Sequence, residues 1–125
     1  MATILVVDDE PVLLRVLSAA LRDARYTVTT ANGASEALKL ARNTSFDLVI
    51  TDLIMPDKEG LEMIMDLRRL APRTKIIAMS GGGRNSPEDY LVTARLLGVQ
   101  CTLAKPFSKE ELLAAVAQVL AEEHK

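Results

Sequence analysis

Short runs of mostly apolar residues recur along the chain, and they are rich in β-branched and aliphatic side chains. Four such runs cover residues 4–7, 48–51, 76–79 and 101–104. Runs of this length predict strands that are buried on both faces of a parallel sheet, because a helix would need a longer periodic pattern. Residues 26–30 alternate between apolar and polar side chains instead, which predicts a short strand near an edge of the sheet.

The residues between the first two predicted strands have a helical pattern. Pro11 suits the first position of a helix, and we expect one apolar stripe of this helix to face the sheet. The stripe comprises Val12, Val16, Ala19, Ala20 and Leu21.

Caps and turn residues predict four further helices between and after the remaining strands. The first begins near Asn32-Gly33. The second begins at Gly60 and ends at Pro72. The third follows a cap at Ser86 and ends at Gly98, and the fourth follows a cap at Ser108. The chain is therefore an α/β alternation of five βα units, and it forms a single domain over residues 1–125.

Composition and charge narrow the classes of function. Of the 125 residues, 49% are apolar, yet no apolar run is long enough to span a membrane. Fifteen basic and seventeen acidic residues give a net charge of −2 without a block of like charge, and only four residues are aromatic. This pattern argues against direct binding of nucleic acid. Because Met1 leads into the first strand without a basic leader, we expect a cytoplasmic protein, and the lone Cys101 is expected to be a small core residue.

Polar side chains follow each of the four apolar runs. Asp8 and Asp9 follow the first run, Asp52 the second, Ser80 the third and Lys105 the fourth. The carboxyl ends of parallel strands meet at one edge of a sheet, so these side chains should lie close together. Three crowded carboxylates repel one another unless a cation lies among them. The pattern predicts a site that binds a divalent metal and handles a phosphoryl group.

The residues around these strand ends resemble the receiver domain of two-component response regulators, single-domain type, over essentially the whole chain. The matching stretches are residues 6–10, 47–52 with the following Met55-Pro56 and Gly60, 79–81 and 105–107. The resemblance implies a doubly wound, flavodoxin-like (βα)5 fold whose five parallel strands have the order 2-1-3-4-5.

The resemblance also implies a phosphoprotein that acts as a signalling switch. Asp52 would accept a phosphoryl group from a histidine kinase or a histidine phosphotransfer protein, with Mg²⁺ as cofactor and Mn²⁺ as the alternative metal. Asp9, Asp52 and the backbone carbonyl of Ile54 would bind the metal directly, and Asp8 would bind it through water.

A second set of residues would bind the phosphate and respond to it. Lys105 would pair first with Asp52 and then with a phosphoryl oxygen, while Ser80 would donate a hydroxyl hydrogen bond. Gly81 belongs to the same phosphate-binding set, and the resemblance implies a cis peptide bond before Pro106.

Two features depart from the family pattern. Thr102 occupies the position on the fifth strand where an aromatic residue commonly turns inward on activation, so no large ring movement is available. The glycine-rich stretch 81–86 follows Ser80, and three consecutive glycines have high conformational entropy in the free chain. We expect the response to phosphate to concentrate in this stretch, although a passive tether is the alternative.

Three functions are compatible with these residues. The first is a stand-alone switch whose downstream partner binds the face formed by the predicted fourth helix, fifth strand and fifth helix, with Tyr90, Arg95 and Gln100 exposed there. The Met1 start and polar C-terminus favour such a complete small protein over the second function, the receiver fragment of a longer response regulator or hybrid kinase. The third and weakest is a metal-dependent aspartyl phosphatase, because Ile54 stands where a general acid would be needed. We therefore expect no enzyme beyond self-phosphorylation and slow autodephosphorylation.

Overall fold

Five parallel strands form one sheet in the order β2-β1-β3-β4-β5, which confirms the predicted order. The computed structural model describes residues 2–53, 60–80, 95 and 97–122. The strands are β1 (Thr3–Val7), β2 (Thr27–Ala31), β3 (Leu48–Asp52), β4 (Lys75–Ser80) and β5 (Cys101–Ala104). The helices are α1 (Pro11–Asp23), α2 (Ala34–Asn43), α3 (Gly60–Leu70) and the C-terminal helix (Lys109–Ala121).

Helices cover both faces of the sheet. Helices α2 and α3 pack on one face together with side chains such as Leu5 and Val49, and α1 and the C-terminal helix pack on the other with Ile4 and Ile50. Successive residues of a strand point to opposite faces, so the apolar runs supply both cores at once. This explains why the runs are mostly apolar, with Thr51 and Thr102 as their only polar members.

Helix α1 begins at Pro11 as predicted, but it turns a different face to the sheet. Its buried side chains are Leu14, Leu17, Ser18, Ala20 and Leu21. Val12 and Val16 are 65% and 59% exposed, and Ala19 is also exposed, so the expected stripe is wrong at these three positions. The helix carries apolar residues on more than one face, and the face with three leucines fills the space against the sheet.

Helix α3 starts in direct contact with the strand that carries Asp52. The Gly60 N–H donates to the Leu53 carbonyl at 3.0 Å. A Cβ atom on Gly60 would lie 2.4 Å from the Leu53 Cα and 2.5 Å from the Asp52 carbonyl oxygen. Only glycine allows this approach of the helix to the strand.

The C-terminal helix begins with the predicted capping box. The Glu111 N–H donates to the Ser108 Oγ at 3.0 Å, and the Ser108 N–H donates to the Glu111 Oε1 at 3.2 Å. The predicted helix between Ser86 and Gly98 lies largely outside the described residues. Among the residues described, no helix has the length and apolar character needed to cross a bilayer.

The two edges of the sheet are β2 and β5. On β2, the Arg22 Nη2 donates to the carbonyl oxygen of Val28 at 3.1 Å. On β5, Cys101, Thr102 and Leu103 are only half-buried, so Cys101 is less enclosed than a core position.

Candidate functional site

The five polar residues predicted at the four strand ends lie together at the carboxyl end of the sheet. Backbone hydrogen bonds continue the strand pairing past the strand ends and fix these positions. The Asp8 N–H donates to the Ala31 carbonyl at 3.2 Å, and the Lys105 N–H donates to the Ser80 carbonyl at 2.7 Å. The edge therefore holds its side chains on regular, well-packed backbone.

Three carboxylates form a compact cluster at this edge. One oxygen from each of Asp8, Asp9 and Asp52 lies within 4.8 Å of the others. Asp8 is fully buried and Asp52 is 7% exposed, whereas Asp9 is exposed. The cluster can be reached from solvent on the side of Asp9.

Lys105 lies between two of these carboxylates. Its Nζ is 2.9 Å from Asp8 Oδ2 and 3.3 Å from Asp52 Oδ2. Burial by itself lowers the pKa of Lys105, but the hydrogen bond to Asp8 and the charges of Asp52 and Asp8 outweigh it, and the pKa is raised. The ammonium is therefore charged at neutral pH.

The contact between Lys105 and Asp8 was not foreseen from the sequence, which predicted Asp52 as the partner. Asp8 also accepts the Glu10 N–H on its other oxygen at 3.0 Å. Protein donors thus engage both oxygens of Asp8, so it is oriented by the surrounding structure. The sequence signal was the Asp-Asp pair itself, which does not say which of the two carboxylates turns inward.

The cluster carries an excess of negative charge. Among the described residues, three carboxylates and one ammonium give the cluster a formal excess of two negative charges, which matches one divalent cation. Carboxylate oxygens are the donors that Mg²⁺ prefers. The residues present therefore fit the predicted metal.

Ser80 presents a buried hydroxyl at the end of β4. Its side chain is fully buried, and its Oγ has no hydrogen-bond partner among the described residues. A buried hydroxyl without a partner is costly. Such a group is available to bind a ligand oxygen at this edge.

The remaining predicted residues have mixed outcomes. Ile54, Gly81 and Tyr90 lie outside the described residues. The peptide bond before Pro106 is cis. Thr102 is half-buried.

Two predicted members of the output face, Arg95 and Gln100, lie within the described residues, and they differ. Arg95 is exposed, and its Nη2 donates to the Thr102 Oγ1 at 3.4 Å. Gln100 was expected to be an exposed polar residue, and this expectation is wrong for its side chain. The Gln100 Oε1 accepts the Ile76 N–H at 2.8 Å, because it extends the pairing of β4 with β5.

An apolar groove adjoins the cluster between α1 and the start of the C-terminal helix. It has a volume of about 270 Å³. Its apolar lining comes from Leu13, Val16, Leu17, Ala20, Pro106, Phe107 and Leu112. Lys105, which contacts Asp8 and Asp52, also borders the groove.

Known proteins resemble this chain over nearly its whole length. The response regulator receiver domain family matches residues 4–117. The probable transcriptional regulatory protein TcrX of Mycobacterium tuberculosis is 35% identical over 94% of this chain and 49% of its own length. The DNA-binding transcriptional regulator NtrC of Azospirillum brasilense is 35% identical over 95% of this chain and 24% of its own length. The chain thus spans between a quarter and a half of these curated relatives.

Solved structures agree with the sequence comparison. A CheY-like receiver domain protein of Methanospirillum hungatei superposes with a TM-score of 0.89 and 28% identity, covering 96% of this chain and 94% of that one. The chemotaxis response regulator CheY4 of Vibrio cholerae gives a TM-score of 0.85 and 34% identity, covering 95% and 98%. With the sheet order, the strand-end cluster and these matches in agreement, the chain belongs to the receiver domain family of two-component response regulators.

Proposed function

We propose that this receiver domain is a phosphorylation switch in which Asp52 accepts a phosphoryl group from a histidine kinase or a histidine phosphotransfer protein, with Mg²⁺ as cofactor and Mn²⁺ as the alternative. The observation that carries the proposal is the Lys105 ammonium lying between Asp8 and Asp52, in a cluster where the carboxylates of the described residues outnumber the described cation by two. Crowding like charges in this way costs stability, so a purely structural role does not explain the arrangement.

The residues of the site divide the work of phosphoryl transfer. An Asp52 oxygen forms the new bond to phosphorus while the bond from phosphorus to the donor's imidazole nitrogen breaks. Lys105 and Ser80 bind phosphoryl oxygens, the first by charge and the second through a hydroxyl that has no partner among the described residues. Bound Mg²⁺ supplies positive charge that offsets the carboxylates and the incoming phosphoryl oxygens.

The site favours a switch over an enzyme with turnover. Asp52 is followed two positions later by Ile54, which cannot transfer a proton, and Gly82 offers no side chain to orient an attacking water. We therefore propose slow autodephosphorylation and no other catalytic activity. This leaves the aspartyl phosphatase as the weakest alternative.

We propose that the protein that donates the phosphoryl group docks at the groove beside Lys105. Exposed Val16 of α1 lines the groove together with Pro106 and Phe107, and Val12 is exposed one turn earlier on the same helix. A protein that brings a phosphohistidine to Asp52 must cover this part of the surface, and burial of these apolar groups would stabilise the complex.

A receiver unit within a longer regulator is the second candidate. It is favoured by the share of the curated relatives that the chain covers, 49% for TcrX and 24% for NtrC. In both candidates we propose a cytoplasmic domain without nucleic-acid binding of its own, whose downstream protein partner binds near Arg95 and the C-terminal helix.

Acetyl phosphate with Mg²⁺ tests the acceptor. Intact-mass spectrometry should find one added phosphoryl group on the wild type and none on Asp52→Asn. Asp47→Asn is the matched control, because Asp47 is an exposed aspartate at the opposite, amino-terminal end of the sheet, where it accepts hydrogen bonds from Thr3, and it should be labelled normally. Labelling of Asp52→Asn at the wild-type level would remove Asp52 from its role.

A comparison of phosphoryl donors tests the groove. Val16→Glu should slow transfer from a phosphorylated histidine protein while leaving transfer from acetyl phosphate unchanged, since the small donor needs no docking surface. An equal effect on both donors would show that the substitution acts on the site and not on docking. Met65→Glu is the control, because Met65 is an exposed apolar residue on α3, on the opposite face of the sheet from α1.

A further inference from the structure

The guanidinium of Arg68, near the end of α3, connects the helix to the backbone that leads into β5. Its Nη1 donates to the Thr74 carbonyl at 2.9 Å and more weakly to the Pro72 carbonyl at 3.5 Å. Its Nη2 donates to the Gln100 Oε1 at 3.2 Å and also to the Gly98 carbonyl. One side chain thus bridges the loop after its own helix and the turn before β5.

Gln100 converts this bridge into a connection with the sheet. Its Oε1 accepts the Ile76 N–H at 2.8 Å while its own N–H donates to the Ile76 carbonyl at 2.9 Å. These two bonds add a rung before the first regular pair of β4 and β5, Ile77 with Cys101. Arg68 holds the amide that forms the rung.

Gly98 gives the same guanidinium a second attachment. Its φ is +87°, which favours glycine, and its N–H closes a turn onto the Arg95 carbonyl at 3.0 Å. Arg95 in turn donates to Thr102 on β5 at 3.4 Å. The segment from Arg95 to Thr102 is part of the predicted output face.

The start of α3 is in tight contact with β3, the strand that carries Asp52. Gly60 lies so close to Asp52 and Leu53 that a single added carbon would overlap their backbone. Between the two ends, Met63, Ile64 and Leu67 are buried. A packed helix of this kind moves as a unit, because interiors are close-packed and deform little.

The chemistry of the bridge requires arginine. All four acceptors are neutral, three of them backbone carbonyl oxygens and one a side-chain amide oxygen. Burial lowers the pKa of Arg68, which shows that the cation bears a desolvation cost. A planar guanidinium reaches several acceptors at once in a fixed geometry, and a lysine ammonium on its single stem does not.

We propose that Arg68 is a positioning residue of the switch, which makes α3 a strut that carries a displacement of the backbone at Asp52 to Gly98 and Gln100 at the start of β5. The proposal rests on the proposed function, since the displacement is the one caused by phosphorylation. It supplies a route to the output face that does not depend on an aromatic residue at position 102.

Backbone amide chemical shifts, measured with and without beryllofluoride and Mg²⁺, test the strut. In the wild type, the amides of Gly98, Val99 and Gln100 should shift along with those of Asp52 and Leu53. Arg68→Lys keeps the positive charge but lacks the two Nη donors of the guanidinium. In this variant, the beryllofluoride-induced shift changes at residues 98–100 should fall roughly twofold or more, while those at Asp52 and Leu53 persist.

Arg69→Lys is the matched control. Arg69 is 76% exposed and lies 4.0 Å from Asp66 in an ion pair of the same helix, so its replacement should leave every shift unchanged. Gln100→Ala removes one acceptor of the Arg68 guanidinium without altering α3. It should reduce the beryllofluoride-induced shift changes at residues 98–100, and it provides this test even if Arg68→Lys does not fold.

The outcomes separate this proposal from the proposed function. If residues 98–100 respond at full size in both Arg68→Lys and Gln100→Ala, or do not respond in the wild type while Asp52 does, the strut is wrong and the acceptor stands. If beryllofluoride moves no amide near Asp52 either, the proposed function fails with it.

Discussion

The two ends of the sheet use the same residue types in opposite ways. At the amino-terminal end, Asp47 accepts both the N–H and the hydroxyl of Thr3, at 2.8 and 3.1 Å. The Thr74 hydroxyl donates to the Phe46 carbonyl at 3.0 Å, and Lys75 donates to carbonyls at the end of the C-terminal helix. Here each aspartate, hydroxyl and lysine has a protein partner.

At the carboxyl end, the charges and hydrogen-bonding groups of the same residue types are not fully matched among the described residues. One lysine serves two carboxylates, a third carboxylate is exposed, and the Ser80 hydroxyl has no partner within the described part of the chain. Matched groups stabilise the fold, whereas unmatched groups cost stability until a ligand arrives. We therefore expect the carboxyl end to be the functional one, and equivalent substitutions at the two ends test this.

The two lysines should differ most. In metal-free protein, Lys105→Ala should lower the free energy of unfolding by about 3 kcal/mol, because it leaves the buried Asp8 without its cation. Lys75→Ala should cost only about 1 kcal/mol, the value of ordinary hydrogen bonds. Because the pKa of Lys105 is raised above its usual 10.5, its contribution is present in full at neutral pH and is lost as the pH rises through that raised value.

Urea denaturation in a chelating buffer measures both lysine variants. Mg²⁺ should return part of the lost stability to Lys105→Ala, since it replaces the missing charge, and should act on Lys75→Ala as on the wild type. Equal losses in the two variants would mean that the carboxyl end is as well balanced as the other.

Metal should stabilise the protein through the carboxyl end only. At a hundredfold excess over Kd, Mg²⁺ should add about 2.7 kcal/mol to the wild type. Asp52→Asn should be more stable than the wild type without metal and should gain less from metal, because it removes one of three crowded charges. Asp47→Asn should gain as much as the wild type. Calorimetry at millimolar Mg²⁺ decides this, and an unmoved Tm would mean that the cluster is not a metal site.

The two hydroxyls should have effects of opposite sign. Thr74→Val should lower stability by about 1–2 kcal/mol, because it leaves the Phe46 carbonyl without its donor. Ser80→Ala should leave stability unchanged or raise it by about 1 kcal/mol, because the lost hydroxyl had no described partner. Thermal unfolding of the free proteins measures both, and a loss of similar size in Ser80→Ala would show that its hydroxyl is already satisfied.

The smallest expected effect concerns Cys101 on β5, an edge strand of the sheet. Burial raises the pKa of the Cys101 thiol above its usual 9.0. Alkylation of Cys101 at neutral pH should therefore be slower than that of a free cysteine and should accelerate as the pH rises, because the thiolate is the reactive form. Alkylation at the rate of the unfolded protein would contradict this environment.

The sequence was most informative where one strong constraint acts alone. Asp8, Asp52 and Ser80 directly follow apolar runs, and a parallel sheet brings such positions together whatever the loops do. The cap at Ser108 was equally readable, because a capping box is a local pattern.

Two features depended on packing, which the pattern does not specify. In α1 several faces are apolar, and only the fit of Leu14 and Leu17 against the sheet decides that Val12 and Val16 remain exposed. Gln100 is polar and was assigned to the surface for that reason. Its side chain instead takes the place of a backbone acceptor, a use that depends on where Ile76 lies in space.

The contact between Arg22 and the Val28 carbonyl on β2 has a consequence for self-association. Residues 27–31 read Thr-Val-Thr-Thr-Ala, a β-prone segment without charge or proline on the border of the sheet. Such strands recruit other chains through their free backbone groups. Because Arg22 occupies one of these carbonyls with a charged side chain, we expect it to oppose pairing of β2 with a second chain, an effect that would become visible only in concentrated solution.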